Sequence, residues 1–109
     1  MFQLSLRMTA RPQHALEAAK ALRSLTIAAQ TERGYVAGRI YQEAGNPEVL
    51  CLEEDWSSEA ALQSHIRSHC FTDLLMLMET APQEPVLEVR SVREVHGLEY
   101  IEAVRFGDL

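Results

Sequence analysis

Side chains capable of chemistry are concentrated between residues 53 and 71, which read EEDWSSEAALQSHIRSHCF. This stretch contains Trp56, the only tryptophan of the chain, followed by His65, His69 and Cys70. On a helix, His65 and His69 lie on the same face, because they are four residues apart. Such an arrangement could serve general-base catalysis, metal binding or attack by a thiolate, or it could be the ordinary polar face of a helix.

His65 is the candidate general base, since a neutral imidazole titrates near physiological pH and can accept a proton from a substrate. A metal site would use His65 and His69 at the spacing of HExxH zinc sites, with Cys70 or Glu54 as a further ligand. No third ligand stands at a recognised spacing, so we predict no metal. A nucleophilic Cys70 lacks an obvious activating neighbour. The remaining alternative is that both histidines are polar residues near a helix end.

Aromatic and charged side chains elsewhere could complete a pocket around this base. Tyr35, Arg39 and Tyr41 alternate along one face of a predicted strand, and Trp56 and Phe71 flank the histidine along the chain. We predict that these five residues bind the substrate through hydrogen bonds or stacking. The alternative, that they belong to the polar face of a sheet or to the core, stays open.

Length and charge exclude several classes of protein. The 109 residues match the size of one domain, and the sequence contains neither a membrane-length apolar run nor a signal peptide, so we expect a cytoplasmic protein. Sixteen acids against 10 bases give a formal charge of −6 without a basic stripe, which argues against nucleic acid as a partner. The 2 cysteines are too few for a disulfide framework, and we expect reduced thiols.

Hydrophobic periodicity predicts the element order β-α-β-β-α-β, the second helix having a break near His69 and Cys70. A short fifth strand is predicted near the C-terminus. The predicted strands are 2–9, 34–42, 48–56, 86–95 and 98–106, the helices 12–31 and 57–81, and the hairpin turn 44–47.

The first four strands and two helices follow the ferredoxin-like pattern, an α+β fold with an antiparallel sheet and helices on one face. The apolar runs 49–52 and 86–89 would leave an apolar patch on the open face of that sheet. We therefore predict a homodimer in which two sheets pack face to face, as in a dimeric α/β barrel. The chain is predicted to be a single domain over 1–109, with 96–109 as a C-terminal strand or tail.

The stretch that opened this section resembles the antibiotic biosynthesis monooxygenase domain family. The shared pattern begins with an acidic residue that is followed two positions later by Trp. A small polar turn and a His come next, and then a Ser or Thr that is followed three positions later by Phe. Glu54, Trp56, His65, Ser68 and Phe71 carry it here. The resemblance covers about residues 2–95 and implies a dimeric α/β barrel.

Members of that family include cofactor-free oxygenases of aromatic polyketides or quinols, haem-degrading enzymes, an isomerase and proteins of no known activity. The haem-degrading members resemble one another in an Asn, a Trp and a His at positions where this chain has Ser5, His65 and Leu75, so haem degradation is not expected. The resemblance implies a cofactor-independent monooxygenase for a small phenolic or quinol-like substrate, with His65 as base. The alternative is a non-catalytic dimer that binds a small aromatic ligand.

Overall fold

A computed structural model describes residues 1–107 of the chain. Four strands form one antiparallel sheet in the order β2-β3-β1-β4. The strands are β1 (Phe2–Thr9), β2 (Tyr35–Glu43), β3 (Asn46–Trp56) and β4 (Val86–Ser91). The helices are α1 (Ala15–Ala29), preceded by a 3-10 turn at Pro12–His14, α2 (Glu59–Ile66), α3 (His69–Met78) and α4 (Leu98–Arg105). The predicted ferredoxin-like α+β fold is confirmed.

The core lies between the sheet and the helices, and strand alternation decides which residues enter it. Leu6 stands opposite Leu52 on β3 and Leu87 on β4, so the two central strands and an edge strand present leucines to the same layer. Leu22 of α1 packs against them with no exposed surface. Because successive strand residues point to opposite faces, each strand contributes every second residue to this layer.

Two serines divide the second helical region of the chain. The Ser58 hydroxyl accepts a hydrogen bond from the backbone N–H of Ala61, which fixes the start of α2. The Ser68 hydroxyl accepts one from Phe71 at 3.2 Å and starts α3, so the chain breaks slightly before the predicted position. Gly34 has φ +86°, and a side chain there would meet Ala61. A glycine is therefore required where β2 begins beside α2.

The prediction of a fifth strand over 98–106 is wrong, because this segment forms α4. Leu98, Ile101 and Val104 recur at a spacing of three, which suits a helix, and a Glu99 carboxylate oxygen accepts a hydrogen bond from the backbone N–H of Gly97. Strand β4 ends at Ser91 rather than residue 95, because Ser91 is opposite Phe2, the first residue of β1. Residues 108 and 109 of the predicted tail lie outside the described residues.

The sheet face turned away from the helices carries a polar network where an apolar patch was expected. Arg39 donates to both carboxylate oxygens of Asp55 at 3.1 and 3.0 Å, and Gln3 donates to the same carboxylate at 3.0 Å. Arg90 in turn donates to the Gln3 side-chain oxygen at 3.3 Å. The alternation that sends Leu50 and Leu52 into the core leaves charged residues on this open face.

Each helix within residues 1–107 is too short or too polar to span a membrane.

The leucines of α1 provide a direct test of this packing. Leu22→Ala should lower the free energy of unfolding by about 2–5 kcal/mol, because it leaves a cavity in the core. Leu16→Ala, at a position that is 68% exposed, is the matched control and should change it little. Urea unfolding monitored by circular dichroism measures both. Equal losses for the two variants would contradict this placement of α1.

Candidate functional site

The imidazole of His65 is enclosed by aromatic rings in the last turn of α2. Only 2% of the residue is exposed. Its ring stacks on Trp56 with centroids 4.4 Å apart and meets the edge of Phe71 at 5.8 Å. The spacing of these residues along the chain therefore does bring them together, around a polar group that lies inside the hydrophobic core.

Carboxylates flank this imidazole on both sides. The Nδ1 atom of His65 lies 3.0 Å from each carboxylate oxygen of Glu32, which follows α1. The Nε2 atom lies 3.1 Å from Oε1 of Glu54, on the helix-facing side of β3. The Glu54 side chain is 3% exposed and that of Glu32 is 24% exposed. One carboxylate thus lies in the interior, and the other reaches the surface.

Local sequence explains why these groups converge. Glu54 follows Leu50 and Leu52 at a spacing of two, so the pleat of β3 turns its carboxylate toward the helices. Directly after α2, the Ser68 hydroxyl donates to the backbone carbonyl of His65 at 2.6 Å. The turn that ends α2 therefore also fixes the backbone of the histidine.

The two carboxylates determine the proton affinity of His65. Burial, the largest single influence, would lower its pKa, but the close approach and charge of Glu54, and then the hydrogen bonding and charge of Glu32, together outweigh burial and raise the pKa above the ordinary value. An ionised carboxylate only accepts hydrogen bonds, so Nδ1 carries the hydrogen that faces Glu32. The second proton of the imidazolium is then held on Nε2, beside Glu54.

Two buried polar atoms near the imidazole lack a hydrogen-bond partner among the described residues: Oε1 of Glu54 and Nε1 of Trp56. The approach of His65 Nε2 to Glu54 is close but is not aligned as a hydrogen bond. Buried polar atoms are usually paired, and exceptions often mark functional positions. An acceptor and a donor therefore lie without protein partners beside the imidazole, in the interior of the described chain.

Tyr35 connects this cluster to a surface groove. Its ring meets Trp56 edge-on with centroids 5.6 Å apart, and burial, followed by the charge of Glu54, raises the pKa of its phenol. A side chain at Gly38 would touch the Tyr35 hydroxyl and would lie 3.0 Å from Thr26. Gly38 also lines a groove of about 270 Å³ between α1 and β2. The groove lining is Arg23, Thr26, Ile27, Gln30, Gly38 and Ile40.

Arg39 and Tyr41 do not join the cluster. They lie on the open face of the sheet, where Arg39 pairs with Asp55 and Tyr41 is 45% exposed. The register of β2 against β3 shifts between Tyr35 and Ala37, so Tyr35 lies on the helix-facing side instead. The expectation that Tyr35, Arg39 and Tyr41 share one face was therefore wrong, because an irregularity in the strand interrupts the alternation.

Cys70, rather than His69, is the neighbour of His65 that could bind a metal. His69 is exposed at the start of α3, whereas ligand atoms of Glu32, His65 and Cys70 lie within 4.8 Å of one another. The Cys70 thiol donates to the Leu25 carbonyl at 3.4 Å, and burial, with the charge of Glu32, raises its pKa to about 11. A metal would have to displace that proton. The same high pKa argues against a nucleophilic thiolate.

Sequence reasoning missed the roles of the two carboxylates. Glu54 was considered as a metal ligand and as the acid of the family pattern, but not as a partner of His65, although its alternation with Leu50, Leu52 and Trp56 indicates a buried position. Glu32 carried no such signal, because it lies 33 residues before His65 and the contact depends on how α1 packs beside α3, the helix that follows α2.

The raised pKa of His65 makes stability depend on pH. Its contribution should be fully present below about pH 6.5, the ordinary value for histidine, and should be lost as pH rises through the higher folded-state pKa. The excess unfolding free energy of wild type over His65→Gln should therefore shrink from pH 6 to 9. Urea titrations across that range measure it, with His69→Gln at an exposed histidine as the control. An excess that grows with pH would contradict the assignment.

The sequence profile of the antibiotic biosynthesis monooxygenase family matches residues 1–74, which extend from β1 into α3 and include the whole His65 cluster. No curated protein matches the sequence.

Solved structures share the fold. A conserved protein from Methanosarcina mazei Go1 is 27% identical, with 84% of this chain and 92% of that chain covered and a TM-score of 0.76. A structure described as an antibiotic biosynthesis monooxygenase is 17% identical, with 86% and 100% covered and a TM-score of 0.75. A conserved protein of unknown function from Bacteroides thetaiotaomicron VPI-5482, described as a possible oxidoreductase, is 21% identical, with 84% and 96% covered and a TM-score of 0.74. The family match covers most of the chain, and the chain therefore belongs to the antibiotic biosynthesis monooxygenase family.

Proposed function

We propose that the protein is a cofactor-independent monooxygenase of a small phenolic or quinol-like substrate, with His65 as the general base. The observation that carries this proposal is an imidazole buried between two carboxylates and stacked on Trp56. A base inside an apolar site can deprotonate a weak acid, because the flanking charges stabilise the imidazolium that forms. Membership in a family named for monooxygenation supports the same reaction class.

The reaction requires no external reductant. Neutral His65 keeps its Nδ1 hydrogen on Glu32 and accepts the substrate proton on Nε2. The resulting phenolate transfers one electron to O₂, and recombination of the two radicals forms a carbon–oxygen bond and gives a peroxide anion, which takes the proton back from His65 to become a hydroperoxide. His65 then removes the ring proton at the same carbon as the O–O bond breaks, which leaves a quinone and hydroxide. This second proton on His65 converts the hydroxide to water, so one oxygen atom enters the product, the other leaves as water, and the substrate supplies all the electrons.

Substrate binding would use the groove beside Tyr35. Tyr35 lies between that groove and Trp56. A substrate ring that displaces the hydroxyl end of the Tyr35 side chain would therefore approach the buried cluster around His65. The unpartnered Oε1 of Glu54 suits a substrate hydroxyl, and the Trp56 N–H suits the oxyanion that develops from it. Both atoms would then gain the hydrogen bonds that they lack.

We further propose a homodimer built through the open face of the sheet, as the family resemblance implies. The ion pairs of Arg39 and the hydrogen bonds of Gln3 hold the charges of this face in place within one protomer. A prearranged polar network reduces the desolvation penalty when a second sheet covers it. The family match, rather than an apolar patch, is what supports this dimer.

A non-catalytic protein that binds a small aromatic molecule is the second candidate. The close enclosure of His65 favours it, because both ring nitrogens already face carboxylates. The two candidates agree on the ligand class and differ only in whether turnover follows binding.

Oxygen consumption tests the catalytic proposal. Wild type should consume O₂ with at least one member of a panel of phenols and quinols, without added metal or flavin. Removal of a general base usually costs about 10²- to 10⁴-fold in rate, so His65→Ala should lose most of kcat/KM. His69→Ala changes an exposed histidine of the same segment and should retain activity.

The pH profile provides a second readout. As pH rises through the raised pKa of His65, kcat/KM should increase because the neutral base becomes available, whereas the free energy of unfolding should decrease. Equal rates in wild type and His65→Ala would remove the base assignment. Ligand binding without turnover of any substrate would favour the non-catalytic candidate.

The approach through the groove predicts an effect of Gly38→Ala. The added methyl group would push the Tyr35 hydroxyl toward the space that the substrate needs, while the strand itself accepts alanine. We expect kcat/KM to fall about tenfold or more, since small displacements of positioning groups are costly. Tyr41→Phe, on the opposite face of the same strand, should leave kcat/KM unchanged. Steady-state kinetics measure both, and full activity in Gly38→Ala would place substrate binding elsewhere.

A further inference from the structure

The C-terminal helix α4 exposes its apolar side. None of its residues is buried, and it contributes nothing to the hydrophobic core of the described chain. The exposed side chains on and directly after it are Leu98 (65% exposed), Tyr100 (48%), Ile101 (55%), Val104 (52%) and Phe106 (73%). An isolated helix of this length is marginal in water, so α4 needs a packing partner.

The shape of the molecule agrees with a projecting arm. The radius of gyration is 16.2 Å, and the longest dimension is 50 Å. A compact chain of this length has a radius of gyration of about 13 Å. Side-chain contacts at the base of α4 are local: Gly97 with Glu99, and His96 with Glu94 and Tyr100. These contacts shape the start of the arm without attaching it to the body.

The arm has an apolar side and an acidic side. Helical spacing places Leu98, Ile101 and Val104 together, whereas Glu102, four residues after Leu98, lies at the edge of this apolar side and Glu99 lies beyond it. A surface that receives it must therefore combine apolar contacts with positive charge. The overall charge of −6 makes such a surface uncommon on this protein.

A groove with both properties, and with two basic residues, adjoins the 270 Å³ groove described above. It measures about 370 Å³ and lies between α1 and β2, at the sheet edge opposite β4. Ile40 and Tyr41 provide apolar surface, and Lys20, the only lysine of the chain, lies beside Arg23. Tyr41 also belongs to the open sheet face, so the groove adjoins the face proposed for dimerisation.

The arm cannot lie along this groove in its own chain. Ser91 of β4 is aligned with Tyr35 of β2, three strand spacings away across the sheet. Tyr41 lies six residues further along β2. With strands about 4.8 Å apart and a rise of about 3.4 Å per residue, the separation of Ser91 and Tyr41 is roughly 25 Å. From Ser91 to Leu98 the chain reaches at most about 25 Å when fully extended, so it would have to run straight through the sheet and the helices that cover it. The groove of a second copy is free of this limit.

We propose that α4 of each protomer packs into the α1–β2 groove of a second copy, with its apolar side inward and Glu99 and Glu102 facing Lys20 and Arg23 of the partner. In a two-fold dimer the exchange is reciprocal, so each contact occurs twice. The exchange does not require the proposed catalytic function, although Arg23 and Ile40 line both this groove and the proposed substrate groove, and it assigns the C-terminal arm to assembly.

Charge exchange tests the proposal in the full-length chain. The arm variant Glu99→Lys/Glu102→Lys and the groove variant Lys20→Glu/Arg23→Glu change exposed residues only, so folding should be retained. Each variant alone places like charges together in both contacts, and its dimer dissociation constant should rise about tenfold or more. Mixing the two variants restores opposite charges in both contacts, so a heterodimer of near wild-type affinity should form. Sedimentation velocity with one labelled component measures this.

Arg11→Glu/Glu17→Lys, with exposed charges outside the groove, is the control and should dimerise as wild type does. Wild-type dissociation constants for both variants, or a mixture that associates no more tightly than either variant alone, would overturn the proposal. Flotation of wild type, but not of Ile101→Asp/Val104→Asp, with phosphatidylcholine vesicles would assign the arm to a lipid surface and would also overturn it.

Discussion

The structure depends on how charge is balanced around an imidazole that water does not reach. His65 is almost fully buried, and an isolated ionised side chain there would be strongly unfavourable. Glu54 and Glu32 resolve this problem by flanking the ring, one inside the core and one reaching the surface. The same balance that stabilises the protonated ring gives the protein a group that can take up a proton inside an apolar layer.

The fold supplies this balance from three separate segments. The pleat of β3 turns Glu54 inward, the Ser68 turn fixes the backbone of His65, and the end of α1 delivers Glu32. Trp56 covers one face of the ring, and its own N–H has no hydrogen-bond partner within residues 1–107. Positioning and binding are thus shared among the same few residues, and we expect stability and function to be coupled at this site.

Local pattern was sufficient to predict the ferredoxin-like order and the convergence of Trp56, His65 and Phe71, because both follow from short-range periodicity. Two features depended on long-range geometry. The contact with Glu32 arises from helix packing, and the placement of Tyr35 arises from an irregularity in β2 that no simple alternation reveals. The apolar residues of the last segment, 98–106, are compatible both with the alternation of a strand and with the spacing of a helix. There the recurrence of Leu98, Ile101 and Val104 and the Glu99 carboxylate that accepts from the Gly97 N–H favoured a helix.

The most direct test of this account is long-range ¹H–¹⁵N NMR of the His65 ring across pH, in wild type and Glu54→Gln. The account predicts a pKa above the ordinary histidine value in wild type, a lower pKa in Glu54→Gln, and a neutral form that keeps its hydrogen on Nδ1, facing Glu32. A ring that titrates at or below the ordinary value in both proteins, or a neutral form protonated on Nε2, would contradict the assignment of His65 as a base held between two carboxylates.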